Sequence, residues 1–278
     1  MRIKLITTST SAIGYLKDYS ITYIPDIIKY SDNEEYSDFI DVSSENFYNR
    51  LIYDKFAYPR VFPQRAFYIK EECKRAIEEG YDAFLFIIPS TQILDYRGNI
   101  NQAMIGLDYK YEIIDSALVG YPLARIAIMA MEMINNGMEL KEIKQEITKK
   151  IEGIGLILYA YNNEIEIPLG MKIEDLNKLE MDKRGKLYIL ENGRITPLKH
   201  DKRKPMVIEM LECFYRLTRG SKNEPFICYT QPTTYKRLLE SKLLMLYEDR
   251  DKITQLPLPA TLGSRLGASI IAIGYIKE

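Results

Sequence analysis

Five hydroxyl-bearing residues in a row, Thr7 to Ser11 in "LITTSTSAIG", break an apolar run near the start of the chain. One or two would suffice to cap a helix by accepting its orphan N–H groups. Five at a strand end offer more. Hydroxyls and free N–H groups together hold an oxyanion, and open α/β sheets take their ligands at the carboxyl ends of strands. The same chemistry recurs at two further strand ends. "FIIPSTQILDYRGNINQAM" follows the apolar run at 82–88, and "IIDSALVG" sets Asp115 and Ser116 at another tip. The stretch 89–99 is long for a connection and is the kind of loop that carries function. The expectation is a polar, anion-accepting ligand site. The chain lacks GxGxxG and GxxxxGK[ST], so this is neither a dinucleotide fingerprint nor a P-loop.

Other chemistries lack their parts. The single histidine, His200 in "PLKHDKRK", reads as a solvated loop residue. Without a second histidine, Ser90, Ser116 and Ser264 have no general base of the Ser-His-Asp type. Asp95 and Asp115 are a conceivable acid–base pair, but aspartates at strand ends read first as structural. Phosphoryl or acyl transfer is therefore the lesser alternative, and the chain is expected not to be an enzyme. Cys73, Cys213 and Cys228 lie far apart with no CxxC pair, against a structural zinc site or a disulfide framework. No metal and no cofactor are expected.

Lys plus Arg number 38 against 39 Asp plus Glu, a net charge of −1, which gives no reason to expect nucleic acid as a partner. No apolar run approaches the ~20 residues of a membrane span. "MRIKLITTSTS" is too short and hydroxyl-rich for a signal peptide, so the expected location is cytoplasmic.

The elements that must position these groups follow from pattern. At 278 residues, 46% hydrophobic, the chain has length and apolar content for two domains. Its first half alternates apolar runs with helical stretches, the pattern of βαβ units on a parallel sheet. "RIKLIT" (2–7) reads as a buried strand and "ITYIPDIIKY" (21–30) as a second, interrupted by Pro25. "SSENFYNRLIY" is a helix with Ser43 or Ser44 as N-cap. "EECKRAIEEGY" is a helix ended by Gly80. "DAFLFII" (82–88) is a strand buried on both faces; "NINQAMIGL" is helical and "YEIID" (111–115) is a strand. "LARIAIMAMEMINNG" and "MELKEIKQEITKKI" are helices, the second amphipathic. The methionines of the first, Met129, Met131 and Met133, read as core.

The second half changes rhythm: a strand at 153–161, a short helix in "KIEDLNKLE", and a hairpin turning at Asn192-Gly193 in "GKLYILENGRITPLKH". Helix, strand and helix follow, and strands in "DKITQLPLP" and "GASIIAIGYI" (267–276) close the chain. The expected architecture is an α/β protein of two domains: residues 1–152 as a parallel α/β domain with head-group-binding strand ends, and 153–278 as an α+β lid domain with a mixed or antiparallel sheet. The C-terminal strand is allowed to return to the first domain.

Taken in order, "LITTSTSAI", "DNEEYSDFIDVSSENFYNRL" (32–51), "YDAFLFII" followed by "RGNINQAM", "IIDSALVG" and "ATLGSRLGASIIAIGYI" resemble the DegV family, fatty-acid-binding proteins that present acyl chains to a fatty acid kinase. The likeness covers nearly the whole chain. It implies an acyl chain held between two domains, its carboxylate bound by hydroxyls of the first domain and by the glycine-rich turn near the C-terminus. Burying a full tail would contribute roughly 10 kcal/mol before entropy costs, at about 0.8 kcal/mol per CH₂. The positions this resemblance assigns to ligand binding are Ser9, Thr10, Phe62, Arg97, Gly98, Asn99, Ser116, Thr261 and Arg265. The implied partners are a fatty acid or other anionic amphipath and a fatty acid kinase subunit.

The sequence departs from the family pattern where binding would occur. The opening Asp is Thr8 here, Val61 and Phe62 replace hydroxyls, and Arg97 replaces the serine of a Ser-Gly-Thr loop, leaving Gly98. Thr261 replaces a histidine, Arg265 enters a turn of small residues, and the segment after "IEDLNKLE" is short. Two consequences stay open. In one, Arg97, with Arg265, grips an anionic head group, as a guanidinium can do bidentately. In the other, Phe62, Tyr96 and Arg97 plug the cleft, Arg97 pairing with Asp95 or Asp115, and the protein is an interaction module. The chain has 22 Tyr and no Trp, and "YDKFAYPRVFPQRAFY" (53–68) has the aromatic, Pro and Arg composition of an interface, although the preferred reading is that these rings pack the cleft wall.

Overall fold

Apolar runs bounded by turn residues become strands, and the connections between them sort the strands into three sheets. The computed structural model describes residues 1–54, 58–161, 185–198, 204–231, 233–247 and 252–277. They form two compact units, residues 1–42 with 61–152 and residues 43–60 with 153–278.

The first unit is built on a four-stranded parallel sheet of order β2-β1-β6-β7. Its strands are β1 (Ile3–Thr8), β2 (Thr22–Ile24), β6 (Ala83–Ile88) and β7 (Lys110–Asp115). All six residues of β6 are buried, as a strand covered on both faces requires. One face carries α2 (Ala66–Glu78) and α3 (Arg97–Met104), which pack Ile69, Cys73, Ile100 and Met104 onto Phe84, Phe86 and Ile88. Helices α4 (Tyr121–Asn135) and α5 (Leu140–Ile151) belong to the same unit: α4 packs on β1 and β6, and α5 on α4 and β7. Gly80 and Gly137, with φ of +83° and +80°, follow the ends of α2 and α4.

The stretch 21–30 is not one interrupted strand. It is two strands in different sheets, because Pro25 has no N–H to continue a ladder. Beyond it, β3 (Ile27–Ser31) pairs antiparallel with β4 (Glu34–Ser37), and β5 (Arg60–Phe62) completes a three-stranded sheet of order β4-β3-β5.

The second unit is a six-stranded mixed sheet of order β10-β9-β8-β13-β11-β12. Its strands are β8 (Ile154–Ala160), β9 (Lys186–Glu191), β10 (Arg194–Pro197), β11 (Asn223–Tyr229), β12 (Thr254–Pro257) and β13 (Ile270–Lys277). Among the described residues, the β11–β12 pairing is parallel and the other pairings of this sheet are antiparallel. Asn192 and Gly193 turn the β9–β10 hairpin with φ of 49° and 77°, both positive as a type I′ turn needs. Helices α6 (Met206–Thr218) and α7 (Thr234–Leu246) cover one face, burying Val207, Met210, Phe214, Leu239 and Leu243 against Ile157, Ile271 and Ile273. The short helix of "KIEDLNKLE", the brief segment after it and His200 lie outside the described residues.

Two sequence expectations need correction. The C-terminal strand does not return to the first unit: β13 sits between β8 and β11, antiparallel to both. Helix α1 (Ser44–Tyr53), capped by Ser43 accepting from the Asn46 N–H at 3.2 Å, belongs to the second unit although its sequence lies inside 1–152. The reason is packing. Phe47 and Tyr48 are fully buried, and Tyr48 OH donates to the Pro259 carbonyl at 2.9 Å, at the start of α8 (Ala260–Leu266). Gly263 permits this approach: a Cβ there would lie 2.3 Å from Tyr48 Cε1 and 2.8 Å from Phe47 Cε1.

Gly263→Ala is therefore expected to destabilise the second unit by about 1–3 kcal/mol through overpacking, read by denaturant unfolding. A variant as stable as the parent would show that α1 and α8 do not meet there.

Candidate functional site

The carboxyl ends of β1, β6 and β7 do converge. Residues Ser9–Ser11 form a short 3₁₀ turn straight after β1, followed by Ala12 in the left-handed region at φ 59°. Asp115 and Ser116 end β7 and are followed by Ala117 at φ 54°. A left-handed alanine costs roughly 1–2 kcal/mol, so both tips hold a shape that their surroundings must enforce. The enforcing contacts are backbone hydrogen bonds between the tips: Gly120 N donates to Thr10 O at 2.9 Å, Ser116 N to Ile88 O at 3.1 Å, and Ser90 N to Leu118 O at 2.9 Å.

A hydroxyl carries one proton, so each hydroxyl's use can be read from its partners. Thr7 Oγ1 donates to Ile87 O at 2.9 Å. Ser11 Oγ donates to Thr8 O at 2.7 Å and accepts from Ile13 N. Thr10 Oγ1 donates to Asp26 Oδ2. These three protons are committed inside the unit. Ser9 Oγ accepts from Asp26 N at 2.9 Å, which leaves its proton to give. Thr8 Oγ1 is buried and reaches no partner among the described residues.

Asp26 is the centre of this arrangement, and sequence reasoning missed it. It is fully buried, and its second oxygen, Oδ1, accepts from Tyr96 OH at 2.5 Å. Tyr96, also fully buried, accepts from Gln64 N at 3.1 Å. Burial, then the Asp26 charge, drives the Tyr96 phenol well above its ordinary pKa. Gln64 Nε2 reaches back to Pro25 O at 3.3 Å, and Asn99 Nδ2 donates to Gln64 O at 2.7 Å. A second carboxyl, Asp38, is 1% exposed and joins Asp26 through the main chain, Asp38 N to Asp26 O at 2.9 Å. Neither of its oxygens has a hydrogen-bond partner among the described residues. Burial first and the Asp26 charge second push its pKa up to about 8; the Ser9 hydroxyl and Phe39 N–H offset part of this without reaching hydrogen-bonding geometry. The signal for Asp26 was there to be read: a lone carboxylate inside the apolar stretch "ITYIPDIIKY".

The other sequence-derived positions are placed as follows. Ser116 is buried, its Oγ accepting from Leu118 N at 3.1 Å. Phe62 is half-buried on β5. Arg97 is exposed and forms a two-pronged pair with Asp95, Nε to Oδ1 at 3.0 Å and Nη2 to Oδ2 at 2.7 Å. Asp115 meanwhile accepts from Thr91 Oγ1 at 2.5 Å and Ala117 N at 2.9 Å. Asp95 and Asp115 thus have separate partners rather than forming an acid–base pair. Gly98 is exposed, and a Cβ there would meet nothing within 4 Å. Thr261 and Arg265 lie in the second unit on α8; Thr261 is buried, and burial lowers the Arg265 pKa. A pocket of about 370 Å³ on the first unit lies at the other end of β1. There Arg2 and Lys4 stack on Tyr81 and Lys4 pairs with Glu79, away from the strand tips.

Residues 2–164 match the family described as "Uncharacterised protein, DegV family". The chain belongs to the DegV family. A DegV domain-containing protein of Clostridium perfringens is 29% identical over 205 residues, 72% of this chain and 65% of that protein. The matched stretch is thus a little under two thirds of the relative's length. Among solved structures, a DegV family protein from Thermus thermophilus described by its fatty acid binding is similar at TM-score 0.83, with 16% identity over the whole of both chains. DegV of Bacillus subtilis, described as a fatty acid binding protein, is similar at TM-score 0.83, with 17% identity over both whole chains. Both are likenesses of fold. The three cysteines of this DegV chain are buried and not joined by disulfides, and no helix among the described residues is long and apolar enough to cross a membrane.

Two outcomes test the cluster. Tyr96→Phe deprives the buried Asp26 carboxylate of a donor and is expected to cost about 1–3 kcal/mol of stability. The Asp38 carboxyl binds its proton more tightly folded than unfolded, so the folded state holds the extra proton between the ordinary aspartate range and about pH 8. Stability contributed by that group therefore falls as pH rises through this window. Asp38→Asn should flatten the decline in a comparison of urea midpoints at pH 5 and pH 8; parallel slopes in both proteins would refute the assignment.

Proposed function

We propose that this protein binds a fatty acid or a similar anionic amphipath, with the acid's head group at the carboxyl ends of β1, β6 and β7. The observation that carries the reading is the buried Thr8 hydroxyl, unpartnered among the described residues, beside Ser9, whose proton is also available. A buried donor without an acceptor costs about 1–3 kcal/mol, and an anion's oxygen relieves that cost. Membership of the DegV family and the fatty acid binding of the Thermus and Bacillus proteins point to the same ligand class. Nothing in the cluster pairs a nucleophile with a base, so the reading is of a binder that holds its ligand without transforming it. The family resemblance extends it to presentation of the acid to a fatty acid kinase.

Within this reading the hydroxyls divide their work. Ser9 and Thr8 face the anion with free protons, while Thr10 and Ser116 shape the tips from within. Arg97 is a reserve cation. Its pair with Asp95 is exposed, and exposed pairs are worth about 0–1 kcal/mol, so an arriving carboxylate or phosphate can take the guanidinium over at small cost. Gly98, with open space at its Cβ, leaves the first turn of α3 clear for a ligand. The interaction-module alternative draws on the closure of Tyr96 and Thr10 onto Asp26, which consumes donors an anion would otherwise use.

Protein purified from cells is expected to carry an extractable acid, visible as a mass difference between native and denaturing mass spectrometry. A saturated fatty acid should raise the melting temperature of the stripped protein. Equal masses together with no thermal shift from any acid would end the binding reading and leave the module. Gly98→Ala should stabilise α3 by up to about 1 kcal/mol on helix propensity yet weaken acid binding; unchanged affinity would move the head group away from that helix.

A further inference from the structure

Taking the head-group site just proposed as given, we propose that the buried Asp26–Asp38 pair holds a single proton on Asp38, and that an acid's carboxylate can occupy the Ser9 end of β1 only while that proton is there. The two carboxyls are unequal in their partners. Asp26 takes donors on both oxygens, from Thr10 and from Tyr96, the pattern of an ionised carboxylate. Asp38 has none among the described residues, although it is as buried as Asp26. A second ionised carboxylate without donors, tied to the first by a backbone hydrogen bond, is the costlier form of the pair.

Ser9 couples this proton to the ligand. Its oxygen accepts from Asp26 N, and its hydroxyl lowers the Asp38 pKa from outside hydrogen-bonding geometry. It has one proton and two claimants. When Asp38 is ionised, Ser9 O–H turns to Asp38, and an incoming carboxylate becomes the third negative charge and loses the Ser9 donor, keeping only Thr8. With Asp38 protonated, the Asp38 O–H turns to donate to Ser9 Oγ, and Ser9 gives its own proton to the ligand. The balance is one proton taken from solvent per acid bound when binding starts from ionised Asp38, and none when it starts from the neutral form; no covalent bond changes. Groups that interact with Asp38 from neighbouring elements are Asp26, Tyr23 on β2 and Tyr96 ahead of α3. Both phenols are raised from their ordinary range and stay neutral across the window in which Asp38 changes charge.

The test is titration calorimetry of the full chain with one saturated fatty acid at pH 6.5 and pH 9, each in two buffers of different ionisation enthalpy. The acid itself is ionised at pH 9, so proton uptake there reports the protein. Near one proton per acid at pH 9, near none at pH 6.5, and an affinity falling about tenfold per pH unit above pH 8 are expected. Asp38→Asn, whose amide donates to Ser9 at every pH, should abolish the uptake and keep its affinity between pH 8 and pH 9. Equal uptake in both proteins, or none in the parent, overturns the proposal. If Asp38→Asn does not fold, the parent's proton uptake decides alone. Should no acid bind at either pH, the binding reading fails. The proton is then read directly as a carboxylic acid C=O infrared band at pH 6.5: present in the parent it upholds the protonated pair, absent it refutes it.

Discussion

A carboxylate buried in a protein interior must be surrounded by donors, and the first unit of this chain is arranged around that requirement at Asp26. Thr10 and Tyr96 give it their protons, and its own N–H is given to Ser9. These residues arrive from three connections: Ser9 and Thr10 from the turn after β1, Asp26 from the link between β2 and β3, and Tyr96 from the loop before α3. Meeting the needs of one charge therefore fixes the relative positions of three connections. Gln64 and Asn99 extend the same chain of hydrogen bonds to the starts of α2 and α3. The strand tips are thus rigid because one polar network over-determines them, and that rigidity supports two left-handed alanines close to the site.

Rigidity of this kind divides the hydroxyl run by role. Thr7, Thr10 and Ser11 are structural because their protons end on Ile87, Asp26 and Thr8. Only Thr8 and Ser9 keep protons that a ligand could receive. The sequence run suggested five comparable groups. Their strand geometry makes them unequal, since side chains alternate between faces along β1 and the 3₁₀ turn then redirects the last three.

Much of the fold was legible because its signals are local. The apolar run of β6, the Ser43 cap, the glycines after α2 and α4, and Asn192-Gly193 each act within a few residues of where they stand. The misplaced features depend on partners distant in sequence. Tyr48 and Pro259 are 211 residues apart, and no pattern in "SSENFYNRLIY" says that its aromatic face belongs under α8. The same limit applies to the site. Arg97 stands two residues from Asp95, so their pairing was one of the two partners the sequence offered. Asp26 meets Tyr96 across 70 residues, and an aspartate next to a proline passes for a turn residue unless burial is known.

One substitution within the family pattern acquires a physical reason from this network. The resemblance places an aspartate where this chain has Thr8. An aspartate there would set a third carboxyl one residue from Ser9, in a region already holding Asp26 and Asp38. Two buried acids can share one proton; a third would need a second proton or a cation. Threonine leaves a neutral donor at that position instead. In this chain the negative charge of the strand tips stands at position 26, where Thr10 and Tyr96 satisfy it. The groups left facing outward from the network are then those able to receive an anion.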